Sequence, residues 1–499
     1  MLAIARTYAL LGVEASEVRV EADVRLGIPS FALVGLPDAA VREARERVRA
    51  AIVNSGFQFP QRRITTNLAP ADLRKAGPGF DLALAAAVLA ASEQLDPASL
   101  EGIALAGELA LDGAIRPVSG ALAMAQAAAR DGSRALVVAA ASAPEAALIG
   151  GVGVVGLDRL EQLRALGGED EPKPPPPLVL GSNGAPADSP DLADLRGQPF
   201  LAHALEVTAA GGHSLLVVGP PGAGKSMAAR RLPSLLPPLD SAEAIEAIKI
   251  ASASGRPLAP LAAGVRPFRA PHHSVSTAGL LGGGSPPRPG EISLAHRGVL
   301  FLDELCEFRR DTLEALRQPL EDGRVLIARV RHSVDLPCRF QLVAAANPCP
   351  CGHGAGAPEC ECPEPSVRRY ASKLTGALAD RIDISVRVAQ PSRAALAGSP
   401  STCSAAVRRR VLTARERQAE RLGPGRVNAE MSDREARTLA RLDRAASRLL
   451  VDGLGSRISG RGFERLIRVA RTLADLGAAE AVAVEHVEGA IALRGRAVR

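Results

Sequence analysis

The chain has 499 residues, of which 47% are apolar but only 2% aromatic and none Trp, so its cores must be packed by Ala, Leu and Val. At this length about three domains are expected. Its 60 basic and 54 acidic residues leave a net charge of +6, a surplus that permits contact with a polyanion without requiring one.

In chain order, residues 1–166 alternate short strand-like and helix-like segments. The opening, with Arg6 followed by a brief apolar stretch and then Glu14, Glu17 and Arg19, does not read as a cleaved signal. No apolar run is long enough to cross a bilayer: Leu82–Ala91 is short, and the Ala-rich stretch after Ala121 is broken by Arg130, Asp131, Arg134 and Glu145. A cytoplasmic chain with no membrane partner is expected. Residues 167–189 are rich in Pro, Gly, Ser and acids, including Pro174–Pro177, and read as an extended, rather stiff linker.

The segment 190–397 carries the chemistry. Ser214–Val218 reads as a buried strand and Ser226–Leu232 as a helix limited by Pro233. Between them runs Gly219-Pro220-Pro221-Gly222-Ala223-Gly224-Lys225-Ser226, a complete G-x-x-x-x-G-K-[ST] phosphate-binding loop. Its glycines let successive N–H groups face one anion at a helix N-terminus. Lys225 is placed to reach the β- and γ-phosphates of ATP, and the Ser226 hydroxyl to hold Mg²⁺.

Between loop and next strand, Arg266–Arg288 offers Arg269, His272, His273 and a glycine run, suited to a mobile contact with nucleic-acid phosphates. The strand Gly298–Leu302 then delivers Asp303 as a second Mg²⁺ contact and Glu304 as the general base for an attacking water. A hairpin over Arg324–Arg339 presents Arg329, Arg331 and His332 near its tip as further phosphate contacts. A third strand, Phe340–Ala346, ends in Asn347, a neutral amide able to orient the same water. With so few aromatic faces for base stacking, any DNA contact should follow the backbone and be insensitive to sequence.

Cys349, Cys351, Cys360 and Cys362 flank a Gly-rich loop; four thiols at this density suit either a tetrahedral Zn²⁺ site or a plain turn of reduced cysteines. The C-x-C spacing is tighter than that of the common zinc knuckle. After a break at Ser392–Ser404, residues 398–499 form an Arg-rich tail whose apolar positions recur at helical spacing.

The order of these strand ends resembles an AAA+ ATPase. Arg269-Ala270-Pro271-His272-His273-Ser274, Gly282–Gly284, Asn347-Pro348-Cys349-Pro350-Cys351-Gly352 and Ala379-Asp380-Arg381-Ile382-Asp383 narrow the resemblance to the magnesium-chelatase-like ATPases of the YifB/ComM type, over nearly the whole chain. It implies an α/β fold: a three-layer αβα AAA+ P-loop NTPase core, a Lon-protease-like α+β domain before it and a helical lid after it. It further implies that Asn347 is the first sensor, Arg381 an arginine finger given to a neighbouring subunit, and Arg461, in Ser459-Gly460-Arg461-Gly462, the second sensor on the nucleotide. The Lon-like domain would be inactive as a protease, because Gly79 and Leu122 stand where Lon carries its serine and lysine. The activity implied is a ring-forming, ATP-hydrolysing motor, a hexamer working on single-stranded or branched DNA as a branch-migration helicase in recombination or natural transformation. A chelatase-type motor remodelling a partner protein and a nucleotide-dependent assembly scaffold are the rival readings.

Overall fold

The computed structural model describes residues 1–495 apart from 36–37, 169–171, 182–188, 285, 329–332, 355–358, 375–377, 379–380, 399–401 and 454–459. Its first part is a seven-stranded mixed sheet in the spatial order Ser30–Val34, Arg63–Ala69, Glu14–Arg25, Leu2–Leu11, Ile103–Ala106, Ala135–Ala139, Gly153–Leu157. Strand alternation sends Ala3, Ala5 and Ala9 to one face and Tyr8 to the other. The first face is covered by helices Ala39–Asn54 and Asp81–Ala91, the second by Ala121–Arg130. Every residue of Asp81–Ala91 is buried, and its Ala, Leu and Val side chains let the helix lie close to the sheet without any large ring.

The second part is a five-stranded, wholly parallel sheet, ordered Phe268–Arg269, Val299–Leu302, Gln341–Ala346, Leu215–Val218, Ile384–Arg387. Parallel strands need crossovers that cover both faces, so their side chains must be apolar on both sides. Accordingly Leu215 and Val217 enter one core and Leu216 and Val218 the opposite one. The first of these cores runs without interruption into the C-terminal helices Ser404–Leu422, Gly460–Leu476 and Val484–Arg494. The Arg-rich tail is therefore a set of helices docked on the sheet's own helices rather than a free arm. Gln418 and Arg415 fasten it further by donating to the carbonyls of Ala210 and Ala209.

The sequence suggests a stiff spacer between the first and second parts, but its described portion, residues 172–181, is a strap. Leu178 and Leu180 pack against the cluster formed by Leu122, Ala244, Ile248 and Ala251, and the N–H groups of Leu178 and Gly181 donate to Pro144 and Ala262. Gly120 N–H meets Ser252, and Lys249 pairs with Glu14 at 2.7 Å. The turn after the first strand packs on the hairpin formed by Arg324–Ala328 and Ser333–Pro337, where a Cβ on Gly12 would stand 2.3 Å from a Val334 methyl. The tip of that hairpin, with Arg329, Arg331 and His332, lies outside the described residues. Among the described residues no helix is long and apolar enough to cross a membrane.

Candidate nucleotide-hydrolysis site

The phosphate loop leaves Leu215–Val218 at the carboxyl end of the sheet and enters the helix Lys225–Leu235. Gly219 is required by a neighbour: a Cβ there would lie 2.5 Å from both the carbonyl oxygen and a methyl of Val388. Gly222 and Gly224 take φ of +77° and +85°, the left-handed turn that points the following N–H groups inward. Gln198 pins the arrangement from below, donating to the carbonyls of Ala223 and Ala389.

Three strand ends then meet around Lys225. Its ammonium donates to the carbonyls of Gly219 and Pro220 at 2.6 and 2.9 Å and to Asn347 Oδ1 at 3.0 Å. Burial pushes the Lys225 pKa below its ordinary value, and Asp303 and Glu304 act in the opposite sense. The Ser226 hydroxyl donates to Asp303 Oδ2 at 2.6 Å. A hydroxyl and a carboxylate in contact at the foot of a phosphate loop are hard oxygen donors of the kind Mg²⁺ takes alongside phosphate and water, so the residues fit that ion. Glu304 follows with φ +52° and ψ +48°, a left-handed conformation uncommon for a side chain of its size, and remains half-exposed. His273 Nδ1 lies 3.1 Å from its carboxylate.

The strand order separates Arg381 from this cluster. It stands just before the amino end of Ile384–Arg387, which runs parallel to Leu215–Val218, so the length of a four-residue strand, about 13 Å, lies between it and the loop. Ser214 holds its backbone, donating from Oγ to the Arg381 carbonyl at 2.8 Å, and its guanidinium donates to Glu321 at 2.6 Å. Arg461 is expected on the nucleotide, but it too sits at the amino edge, 3.9 Å from Glu321. The cause is its helix, Gly460–Leu476, which docks there through Arg465 on the Ile382 carbonyl. Within one chain it is not a contact of the phosphate loop. Arg381 and Arg461 line a cavity of about 840 Å³ whose wall also includes Arg266, Arg339, Arg426 and Arg468.

Asp383 anchors this edge. Burial alone would raise its carboxyl, but His213 at 3.4 Å, Arg465 at 3.6 Å and the Ser214 N–H outweigh it and hold the group at about 2. The other ring nitrogen of His213 meets the Thr472 hydroxyl at 2.8 Å, tying the Arg381 turn to the C-terminal helices.

Of the residues suggested as DNA contacts, Arg269 is engaged by Glu291 through two bonds of 2.7 and 2.8 Å, and His272 bonds Ser274. His273 faces Glu304 instead of solvent alone. Sequence reasoning missed that pairing because Phe268–Arg269 is only two residues long, too short to reveal that it lies beside the strand bearing Glu304. Glu321 and His213 carried no motif at all. The four cysteines do converge: all four Sγ atoms lie within 4.8 Å of one another.

Family models agree with this geometry. Residues 191–396 match the magnesium chelatase subunit ChlI model, residues 20–142 a second ChlI model and residues 401–494 the ChlI C-terminal model. The chain is 44% identical to YifB of Salmonella typhimurium over 99% of its own length and 97% of that protein. It is 42% identical to the competence protein ComM of Haemophilus influenzae with the same two coverages. A shorter match, 30% identical over 30% of this chain and 51% of the relative, is to the magnesium-chelatase 38 kDa subunit of Cereibacter sphaeroides. With its parallel sheet, phosphate loop and full-length relatives, the chain belongs to the YifB/ComM family of magnesium-chelatase-like AAA+ proteins.

Proposed function

We propose that the protein is an ATP-hydrolysing motor whose active sites are completed between neighbouring subunits. The observation that carries this reading is the meeting of three strand ends: Lys225 on Asn347, Ser226 on Asp303, and Glu304 beside them. In this reading an incoming γ-phosphate takes the Lys225 ammonium from the Gly219 and Pro220 carbonyls. Mg²⁺ held by Ser226 and Asp303 would neutralise phosphate charge. Glu304 accepts the proton of a water that Asn347 orients, and Arg381 arrives from the adjoining subunit to offset charge on the transferred phosphoryl. A hexameric ring follows as the assembly, with the C-terminal helices as its lid and the N-terminal part as a Lon-like platform whose Gly79 and Leu122 can neither attack a carbonyl nor take a proton.

The substrate read here is DNA, single-stranded or branched, moved without regard to sequence in the cytoplasm as a branch-migration helicase. Full-length similarity to a competence protein supports it. A chelatase-type role in remodelling a protein partner is favoured by the ChlI models and by the shorter magnesium-chelatase relative. One experiment separates them: hydrolysis measured with and without three- and four-stranded junctions, scored also for strand separation. Stimulation with separation supports the DNA motor; hydrolysis indifferent to DNA supports the chelatase-type role; absence of hydrolysis removes both.

A further inference from the structure

Among the described residues the cysteine cluster is the one group of metal-ligating side chains that the hydrolytic site does not absorb, and its geometry is specific. Four thiolates on Zn²⁺ at about 2.3 Å form a tetrahedron whose edges are about 3.8 Å. Here Cys349 Sγ lies 3.2 Å from Cys351 and 3.8 Å from Cys360, and Cys351 lies 3.7 Å from Cys360. Packing does not explain the gathering, since only Cys349 is buried while Cys351 is exposed and Cys360 and Cys362 are half-buried. The Gly354 N–H points at Cys349 Sγ from 3.1 Å, the kind of donor that steadies a thiolate ligand.

Position gives the cluster a use. It begins two residues after Asn347, and its Gly352, at φ +92°, lies so close to the phosphate loop that a Cβ would stand 2.8 and 2.9 Å from two ring carbons of Pro221. On its far side the chain enters helix Glu364–Leu374, whose Tyr370 carbonyl faces the Cys306 thiol and whose Lys373 donates to the Cys306 carbonyl. Cys306 belongs to the turn directly after Glu304. The phosphate loop thus meets the knuckle directly, the amide of Asn347 precedes it by two residues, and the segment after Glu304 contacts the helix that follows it.

We propose that Cys349, Cys351, Cys360 and Cys362 bind one structural Zn²⁺, and that the closed knuckle braces the phosphate loop by pressing Gly352 against Pro221. The bracing half rests on the nucleotide reading above; the metal half does not. Elemental analysis of the full chain, purified under reducing conditions, should find about one zinc per chain, and less than about half an equivalent in folded protein, or iron in its place, overturns the site. Cobalt exchanged into it should give the visible absorption of a tetrahedral thiolate centre, and Cys351→Ser, at an exposed position, should lose both metal and absorption; retention of full zinc by that variant also overturns the site. For the brace, Gly352→Ala should keep its zinc yet bind a fluorescent ATP analogue at least about threefold more weakly. Unchanged affinity with full zinc overturns the brace. Because zinc is counted without nucleotide, failure of the unaltered chain to bind ATP would strike the motor reading and leave the metal count standing.

Discussion

The two edges of the five-stranded sheet have opposite chemistry. At the carboxyl edge, backbone N–H groups, one ammonium, two adjacent acids and an amide surround a space for polyphosphate; at the amino edge, arginines gather around Glu321. In the proposed function each edge is half of an active site. Among the described residues Arg381 and Arg461 stand at the amino edge, away from the phosphate cradle, while at the carboxyl edge Arg387 ends the strand beside Val218 and Arg269 is engaged by Glu291. A parallel sheet imposes this division, since the amino and carboxyl ends of its strands cannot be brought together within one chain. In the proposed function, two chains placed edge to edge would supply both halves, with Arg381 leaving Glu321 for a phosphate. The pair is only partly open to solvent, with the Glu321 side chain 51% exposed and that of Arg381 9% exposed.

That division can be broken at either edge. Lys225→Ala should have the largest effect: nucleotide affinity falls at least about 100-fold, read by fluorescent ATP titration, since the charge-assisted contact to the phosphates is lost. Arg381→Ala should bind ATP normally and hydrolyse it about 1,000-fold more slowly. Mixing these two inactive variants sharpens the comparison. A Lys225→Ala subunit still lends its Arg381 to the intact loop of an Arg381→Ala neighbour, so hydrolysis should partly return. Two variants that stay inactive when mixed in assembled rings would show that both edges serve the same subunit. Glu304→Gln should retain ATP and hydrolyse it at least about 100-fold more slowly, holding the ring on its substrate. Turnover at the normal rate would assign the base elsewhere.

The smallest effect is on stability and tests the arginine edge alone. Asp383 is held at about 2 in the folded chain, below an unfolded carboxyl near about 3.9. A depressed carboxyl stabilises the fold above the unfolded value, and that contribution disappears as pH falls from about 4 through about 2. Asp383→Asn should therefore lower the unfolding free energy by about 2 kcal/mol at pH 7 and by much less near pH 2, followed by urea melts at both. Its ATP affinity should be unchanged, because the phosphate edge is remote.

Much of the phosphate edge was legible in the chain itself. Gly219–Ser226, Asp303-Glu304 and Asn347 each follow a short apolar run, and a buried strand ending in polar groups must present them at its tip. The helical character of the tail was equally plain from the spacing of Val407, Val411 and Leu412. The proline-rich segment is without helix or strand over its described residues, as its composition suggests, but only the apolar side chains of Leu178 and Leu180, meeting Leu122 and Ile248, make it a strap. Histidines beside glycines also look like exposed contacts until a neighbouring strand carries Glu304 to within 3.1 Å of His273.

Sequence by itself determined the chemistry available, because a phosphate cradle is built from consecutive residues and needs only its local turn. Tertiary structure decided where the arginines stand and what each faces. Arg381, Arg461 and Glu321 are far apart along the chain, and the order of parallel strands together with the docking of the C-terminal helices, neither encoded in any local pattern, puts them on the edge away from the loop.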